Sequence, residues 1–345
     1  MCSIQVSQYY KTNFVLFCFI LISFSVFSQR KQFKVITIAA FETGEIQGDL
    51  AGEAQLWYER DSLYSEMKIV GASSPLYYNN KGQGLFISGM GVGHASSTIT
   101  ALCLNRNLDL KNTYFLIAGI GGGSPEESTI GSVVLSDWVV DADSCHEIDA
   151  REVPLSWQFS RFRLGCNEPW CNNGWTIGSE VFQLDTELLS KAFELTKNTI
   201  LLDNENINTI RRKFSETSKA YFGPNVLIGS NLSGNTFLYG KINSHWGKWW
   251  VNKWTNNKGN YVVSNMEDTG ILTAFRSMDR ENLISFDRVL IVRSISDFDQ
   301  QYPNETAKNS IHTNWVGFSL AIENVYRVGS LIVHDIIDNW ADWNY

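Results

Sequence analysis

TYFLIAGIGGGSPEESTIGSVVLSDWVV, residues 113–140, holds two strand-like runs on either side of a glycine-rich stretch. Residues 113–119 are short, almost wholly apolar and rich in aromatic or β-branched side chains, the composition of a strand buried on both faces. The glycines from Gly119 to Gly123 end that run and read as a loop. Residues 131–140 read as a second strand, antiparallel to its neighbours or part of a barrel-like curl.

The same pattern recurs along the chain. Residues 34–41, 84–88, 225–230, 260–264 and 287–294 read as further buried strands, and 94–105, 185–197, 268–278 and 306–327 as helices. Alternation of this kind predicts an α/β domain whose mixed, mostly parallel, twisted sheet is flanked by helices. Residues 141–178 form a long irregular insertion, ordered by its tryptophans and by a plausible local bridge between Cys166 and Cys171. In 241–259, Ile242, Trp246, Trp249, Trp250 and Trp254 recur at helical spacing. Such a stripe is most simply a core face, although it could also stack on sugars or lie in a membrane interface.

The 345 residues carry a net charge of −8 and are 44% hydrophobic, so a sizeable core forms and a nucleic-acid backbone is a poor partner. Residues 14–27 are apolar and precede a small-residue cleavage pattern ending at Ser28, which predicts a signal peptide over 1–28 and a secreted or periplasmic chain from 29 to 345. The run is shorter than the ~20 residues a spanning helix needs. Cys103 sits in an apolar helix and reads as inert core. Asn231-Leu-Ser and Asn304-Glu-Thr are glycosylation sequons, relevant in a eukaryotic secretory path.

In open α/β sheets ligands bind beyond the carboxyl ends of the strands. The residues found there are Glu42 and Glu45 in FETGEIQGD; Gly89, Gly91, Gly93 and His94 in SGMGVGH; the Gly119–Gly123 run; Phe237 in NLSGNTF; Asn265, Met266 and Glu267 in SNMEDTG; and Asp297 with Asp299 in SISDFDQQ. The glycine loop lacks the dinucleotide spacing, and there is no G-x-S-x-G elbow, P-loop or H-E-x-x-H, so no cofactor or metal is expected. Ser264 and Glu267 fit an S-x-x-E capping box, the simplest structural reading of that stretch.

The set as a whole suits a nucleoside. Glu267 can accept from two neighbouring hydroxyls, Met266 can pack on a ring face, Phe237 can stack on a base, and a desolvated Asp297 can supply a proton. Taken singly, Phe237 also reads as core and Asp297 as a loop carboxylate.

The blocks FETGEIQGDLAGEAQLW, AGIGGGSPEESTIGSVVLSDWVVDADSCHEIDARE, GNTFLYGK, GNYVVSNMEDTG and YRVGS resemble the purine nucleoside permease family, itself similar in fold to nucleoside phosphorylases and methylthioadenosine nucleosidases. The resemblance covers nearly all of residues 29–345 and implies a single nucleoside-phosphorylase-like domain. It implies that Met266 and Glu267 hold the ribose hydroxyls, with Gly91 and the 89–93 loop nearby. It places the base against Phe237, Gly119, Gly121, Gly122 and Asn265, and makes Asp297 the acid that protonates it. Asp268 is then the plain helix-start carboxylate.

The chain departs from phosphorylases in its first strand-end loop, where Glu42 and Glu45 stand without Arg or Lys. A phosphate dianion fits poorly beside those carboxylates, although phosphate stays the one co-substrate to test. Either glutamate could activate water. Two functions share such a pocket: cleavage of the N-glycosidic bond of purine nucleosides, or their binding and uptake without chemistry, which would need a membrane partner. A second copy of the chain is a further candidate partner.

Overall fold

The computed structural model describes residues 30–311 and 314–344. The expected signal peptide lies outside them. Ten strands form one mixed sheet: β1 (Val35–Ala39), β2 (Ser65–Met67), β3 (Leu76–Tyr78), β4 (Gln83–Ile87), β5 (Tyr114–Gly123), β6 (Val133–Asp141), β7 (Val181–Gln183), β8 (Val226–Ser233), β9 (Tyr261–Asn265) and β10 (Val289–Phe298). The helices that concern the site are α1 (Gln55–Arg60), α2 (Val92–Cys103), α3 (Thr186–Thr196), α4 (Glu205–Arg211), α5 (Lys241–Trp254), α6 (Asp268–Arg280), α7 (Ala307–Ile311) and α8 (Phe318–Asp338).

β5 is the axis of the sheet. It pairs in parallel with β1 on one side and with β10 on the other, and its last residues also pair antiparallel with β9. β10 continues to β6 antiparallel, β6 to β8 in parallel, and β8 to β9 in parallel. Strands β5, β10, β6, β8 and β9 therefore close on themselves, and the curl expected for residues 131–140 is a ring of five strands. β6 runs antiparallel to β10 and β7 but parallel to β8.

Alternation decides what each face touches. Leu116, Ala118, Leu290 and Val292 pack under α8 with Trp57 and Val328. Phe115, Ile117, Val289 and Ile291 pack under α2 and α6 with Ile99, Leu102, Ile271 and Phe275. Cys103 belongs to the second core, where burial pushes its thiol up to about 12, so it stays protonated and unreactive.

The glycine run is not a loop. Gly119–Gly123 complete β5, and the reason is close approach rather than turning. A Cβ on Gly121 would run into the Ser264 carbonyl oxygen, and one on Gly123 would sit 2.6 Å from Ile295 Cγ2. Three strands meet there, and only a bare backbone lets them.

α5 buries Trp246 and Trp250 in a cluster outside the ring, with their rings stacked at 5.3 Å. Their indole nitrogens donate to the carbonyls of Arg161 and Asp141, so this face both fills a core and pins the insertion. Ile242, in contrast, is exposed. The insertion holds an antiparallel pair, Cys145–Glu147 with Arg161–Arg163, and the Cys166–Cys171 bridge. The sequon residue Asn231 is fully buried and donates to Asp268 at 2.5 Å, which excludes it as a glycan acceptor. The helix expected over 306–327 is α7 followed, beyond residues 314–317, by α8, which runs on to Asp338.

Candidate functional site

A cavity of about 390 Å³ opens at the carboxyl ends of β1, β5, β8, β9 and β10. Its walls are largely apolar: Phe41, Met90, Phe237, Leu238, Met266 and Phe318. Its polar groups converge from different strand ends, among them Glu42, Glu53, Glu267, Ser264, Asn265, Ser296, Asp297 and Asp299. An apolar cleft with a few placed polar groups is the form of a small-molecule site.

Gly122 is the floor. On one side it faces Ser264 of β9 and on the other Asp297 of β10, across a register shift between Ile295 and Asp297. A Cβ at Gly122 would approach Asp297 Oδ1 to 3.2 Å. Asp297 is 4% exposed. Ser296 donates to its Oδ2, and Oδ1 has no hydrogen-bond partner among the described residues. Burial pushes its carboxyl up to about 7, against the Ser296 hydrogen bond and with a further push from Asp299. It can hold a proton at neutral pH and give it up.

Glu267 stands at the start of α6, 5% exposed. Its Oε1 accepts from the Gly91 amide at 3.2 Å and Oε2 from its neighbour Met266 at 3.3 Å. Burial raises its pKa, opposed by Arg293. Gly91 itself begins α2 at φ +86°, a conformation that favours glycine. The capping-box reading fails in detail: the amides of Glu267 and Asp268 donate to Asn265 Oδ1, at 3.0 and 3.1 Å, while the Ser264 hydroxyl turns to the Gly122 carbonyl. Asn265 thus lines the cavity and caps the helix.

Asp268 is more than a helix-start carboxylate. It is wholly buried and ion-paired with Arg293, which the sequence reading did not single out. The Arg293 guanidinium also lies 3.5 Å from Glu267 and 3.6 Å from Glu53. Three buried carboxylates therefore share one buried cation. Gly119 makes this arrangement possible, since a Cβ there would collide with Glu53 and Arg293; it seats the cluster and is not itself part of the cavity wall.

The first strand-end loop is where the structure corrects the sequence most. Glu45 is exposed and stands apart from the cavity. Glu42 touches the cavity, but its carboxylate accepts from the amides of Thr43, Gly52, Ala54 and Gln55, which makes it the N-terminal cap of α1. The glutamate this loop delivers to the site is Glu53. Its two oxygens accept from the Ala40 and Ile120 amides, each at 2.7 Å, and burial pushes it up to about 7 against the pull of Arg293.

Phe237 lines the cavity half-exposed, with 53% of its surface open. Its loop is clamped at Asn235, which donates from backbone and side chain to Asp143 and accepts from the Val92 amide at 2.9 Å. No Lys, Arg or His lines the cavity among the described residues.

Comparison with known proteins places this geometry. The family model described as Purine nucleoside permease (NUP) matches residues 32–345. The chain belongs to the purine nucleoside permease family. A probable purine nucleoside permease of Schizosaccharomyces pombe is 30% identical over 306 residues, covering 84% of this chain and 88% of the yeast protein. A purine nucleoside permease of Candida albicans is 29% identical over 257 residues, 73% of this chain and 63% of its own length. Among solved structures, 5′-methylthioadenosine/S-adenosylhomocysteine nucleosidase of Helicobacter pylori superposes with a TM-score of 0.53 at 15% identity, over 88% of this chain and 99% of the other. The corresponding nucleosidase of Neisseria meningitidis gives 0.50 at 16%, over 87% and 97%. The permease-family chain thus has the nucleosidase fold, and these two likenesses show the fold alone.

Proposed function

We propose that this chain binds purine nucleosides in the cavity and cleaves their N-glycosidic bond with water. The observation that carries the reading is Asp297: a buried cavity-lining carboxyl with one oxygen unpaired among the described residues and a pKa pushed up to about 7 by burial, in the same cavity as Glu267. The ribose hydroxyls donate to Glu267, and the base lies between Phe237 and the Gly121–Gly122 backbone. Asp297 gives its proton to the imidazole nitrogen of the base as the bond to the anomeric carbon breaks. The bonding pair leaves with the base, and the carboxylate of Glu267 favours the cationic sugar that results. Glu53, ionised, takes a proton from the water that attacks that carbon. With both carboxyls pushed up to about 7, protonated Asp297 and ionised Glu53 are each populated near neutrality.

Water suits the site better than phosphate. The Arg293 guanidinium is already shared among Glu53, Glu267 and Asp268, and a dianion would meet those carboxylates uncompensated. The family name supports a second reading, uptake without cleavage. Among the described residues no helix is long and apolar enough to cross a membrane, so uptake would require a membrane partner. The proposed site of action is outside the cytoplasm; the apolar stretch at 14–27 and the Cys166–Cys171 bridge support it.

The test is free base released from inosine, adenosine and guanosine, with and without phosphate. Release without phosphate is expected. Release that requires phosphate would overturn the hydrolytic reading, and tight binding with no release would favour uptake.

A further inference from the structure

Asp299 lines the cavity and takes no part in this chemistry; unlike Glu42, whose carboxylate is taken up by backbone amides, it keeps an oxygen unpaired among the described residues. It lies two residues beyond Asp297, one past the end of β10, where its amide still pairs with β5, so the two residues fall on one face of the chain, roughly 6.6 Å apart along the backbone at 3.3 Å per residue. Phe298, between them, points the other way into the core beside Phe214, which confirms the alternation. The backbone fixes Asp299 on both sides: its amide donates to the Gly123 carbonyl and its carbonyl accepts from the Gly240 amide. The side chain is 3% exposed. Tyr261 donates to Oδ2 at 2.7 Å, and Oδ1 makes no hydrogen bond among the described residues although the residue lines the cavity.

A buried carboxyl with one oxygen tied and the other unpaired is an incomplete hydrogen-bonding site. Burial pushes this carboxyl up to about 7, against the Tyr261 and Ser244 hydroxyls, so its unpaired oxygen can donate when protonated and accept when ionised. The leaving end of the base is assigned to Asp297. In a purine the six-position group sits beside the imidazole nitrogen assigned to Asp297, and Asp299 is the next carboxyl on that face of the chain.

We propose that Asp299 is a specificity-determining residue: held by Tyr261, it hydrogen-bonds the six-position edge of the purine and favours bases that carry an amino or oxo group there. This rests on the nucleoside reading of the cavity. A site that hydrogen-bonds a substrate group rejects the analogue lacking it, because its own buried polar atom is then left unpaired.

The test compares inosine and adenosine with unsubstituted purine riboside, for the wild type, D299N and Y261F. The readout is kcat/KM for base release, or Kd if the protein binds without cleaving. The wild type should prefer the six-substituted nucleosides by at least tenfold. D299N should cut that preference at least tenfold, and Y261F, which keeps the carboxyl and loosens it, should cut it less. Equal losses on all three nucleosides, or an unaltered preference in both variants, would overturn the proposal. If D299N does not fold, the Y261F ratio decides. A wild type that binds none of the three overturns the nucleoside reading itself, and this proposal with it; a wild type that binds all three equally overturns only this proposal.

Discussion

Replacing Asp297 by Asn keeps the size of the side chain and its place over Gly122 but removes the proton it can give. General acid catalysis contributes about 10²–10⁴ in rate. At 1.36 kcal/mol per factor of ten, that is a barrier increase of roughly 3–5 kcal/mol in D297N. The pH profile carries a second signature. Burial holds the Asp297 proton up to a pKa of about 7, so the competent, protonated form declines above that value, to about a tenth at pH 8. Glu53, also pushed up to about 7, must be ionised, so base release should fall on the acid side too. The profile should be a narrow bell near neutrality, with apparent values that belong to the coupled groups. The assay is free-base release from inosine between pH 5 and 9. D297N should lose the alkaline limb and keep the acid one. Activity of D297N within about threefold of wild type, below the least contribution expected of a general acid, or an alkaline limb that persists in it, would refute the assignment.

E267Q removes a charged acceptor for the ribose hydroxyls, worth about 1.5–3 kcal/mol, so nucleoside affinity by calorimetry should fall roughly tenfold to a hundredfold; unchanged affinity would remove Glu267 from the site. R293M leaves Asp268, Glu267 and Glu53 buried without their cation, and breaking such a set costs about 3–5 kcal/mol; a chemical-denaturation midpoint equal to wild type would contradict the cluster. Thermal stability should depend on pH with a definite sign. Glu53, Asp297 and Asp299 all have pKa values raised by folding to about 7, so their stabilising share is complete below the ordinary carboxylate range and is lost as pH rises through about 7. His334, raised by its bond to Asp61, works in the same direction. Melting temperature should therefore be higher at pH 5 than at pH 8, and D297N should narrow the gap; a melting temperature that rises over that window would count against the buried acids.

Much of the site could be read from the sequence because the strands are apolar on both faces and their ends are not. Met266, Glu267, Phe237, Gly122 and Asp297 all stand at such ends, and all line the cavity. What was hidden has physical causes. Gly119–Gly123 has the composition of a turn, yet the glycines serve close approach between strands that are far apart in sequence. Glu42, Glu45 and Glu53 are indistinguishable by residue type. What separates them is that Glu42 is consumed by four backbone amides while the chain doubles back to bring Glu53 to the Ala40 and Ile120 amides. Arg293 did leave a signal, as the one charge inside the apolar run VLIVRSIS, since a fully buried arginine needs partners. The sequence misplaces the end of α8 because its amphipathic pattern continues to Asp338, eleven residues past the stop expected at 327, with no glycine or proline to mark the true end.

The closed ring of β5, β10, β6, β8 and β9 also sets how the protein can fail. Its members come from residues 114 to 298, and the groups that would touch a ligand sit on separate staves. The ring closes only when segments as far apart in sequence as Phe115 and Val289 have met, which makes closure slow and cooperative. A proteolytic nick that frees one strand would then remove a wall, the floor or the acid at once, and no truncated piece of the barrel would retain a weakened version of the site. Ligand occupancy, by the same logic, acts as a hoop: it stabilises only the fully closed chain, and protection from proteolysis should rise in all five strands together.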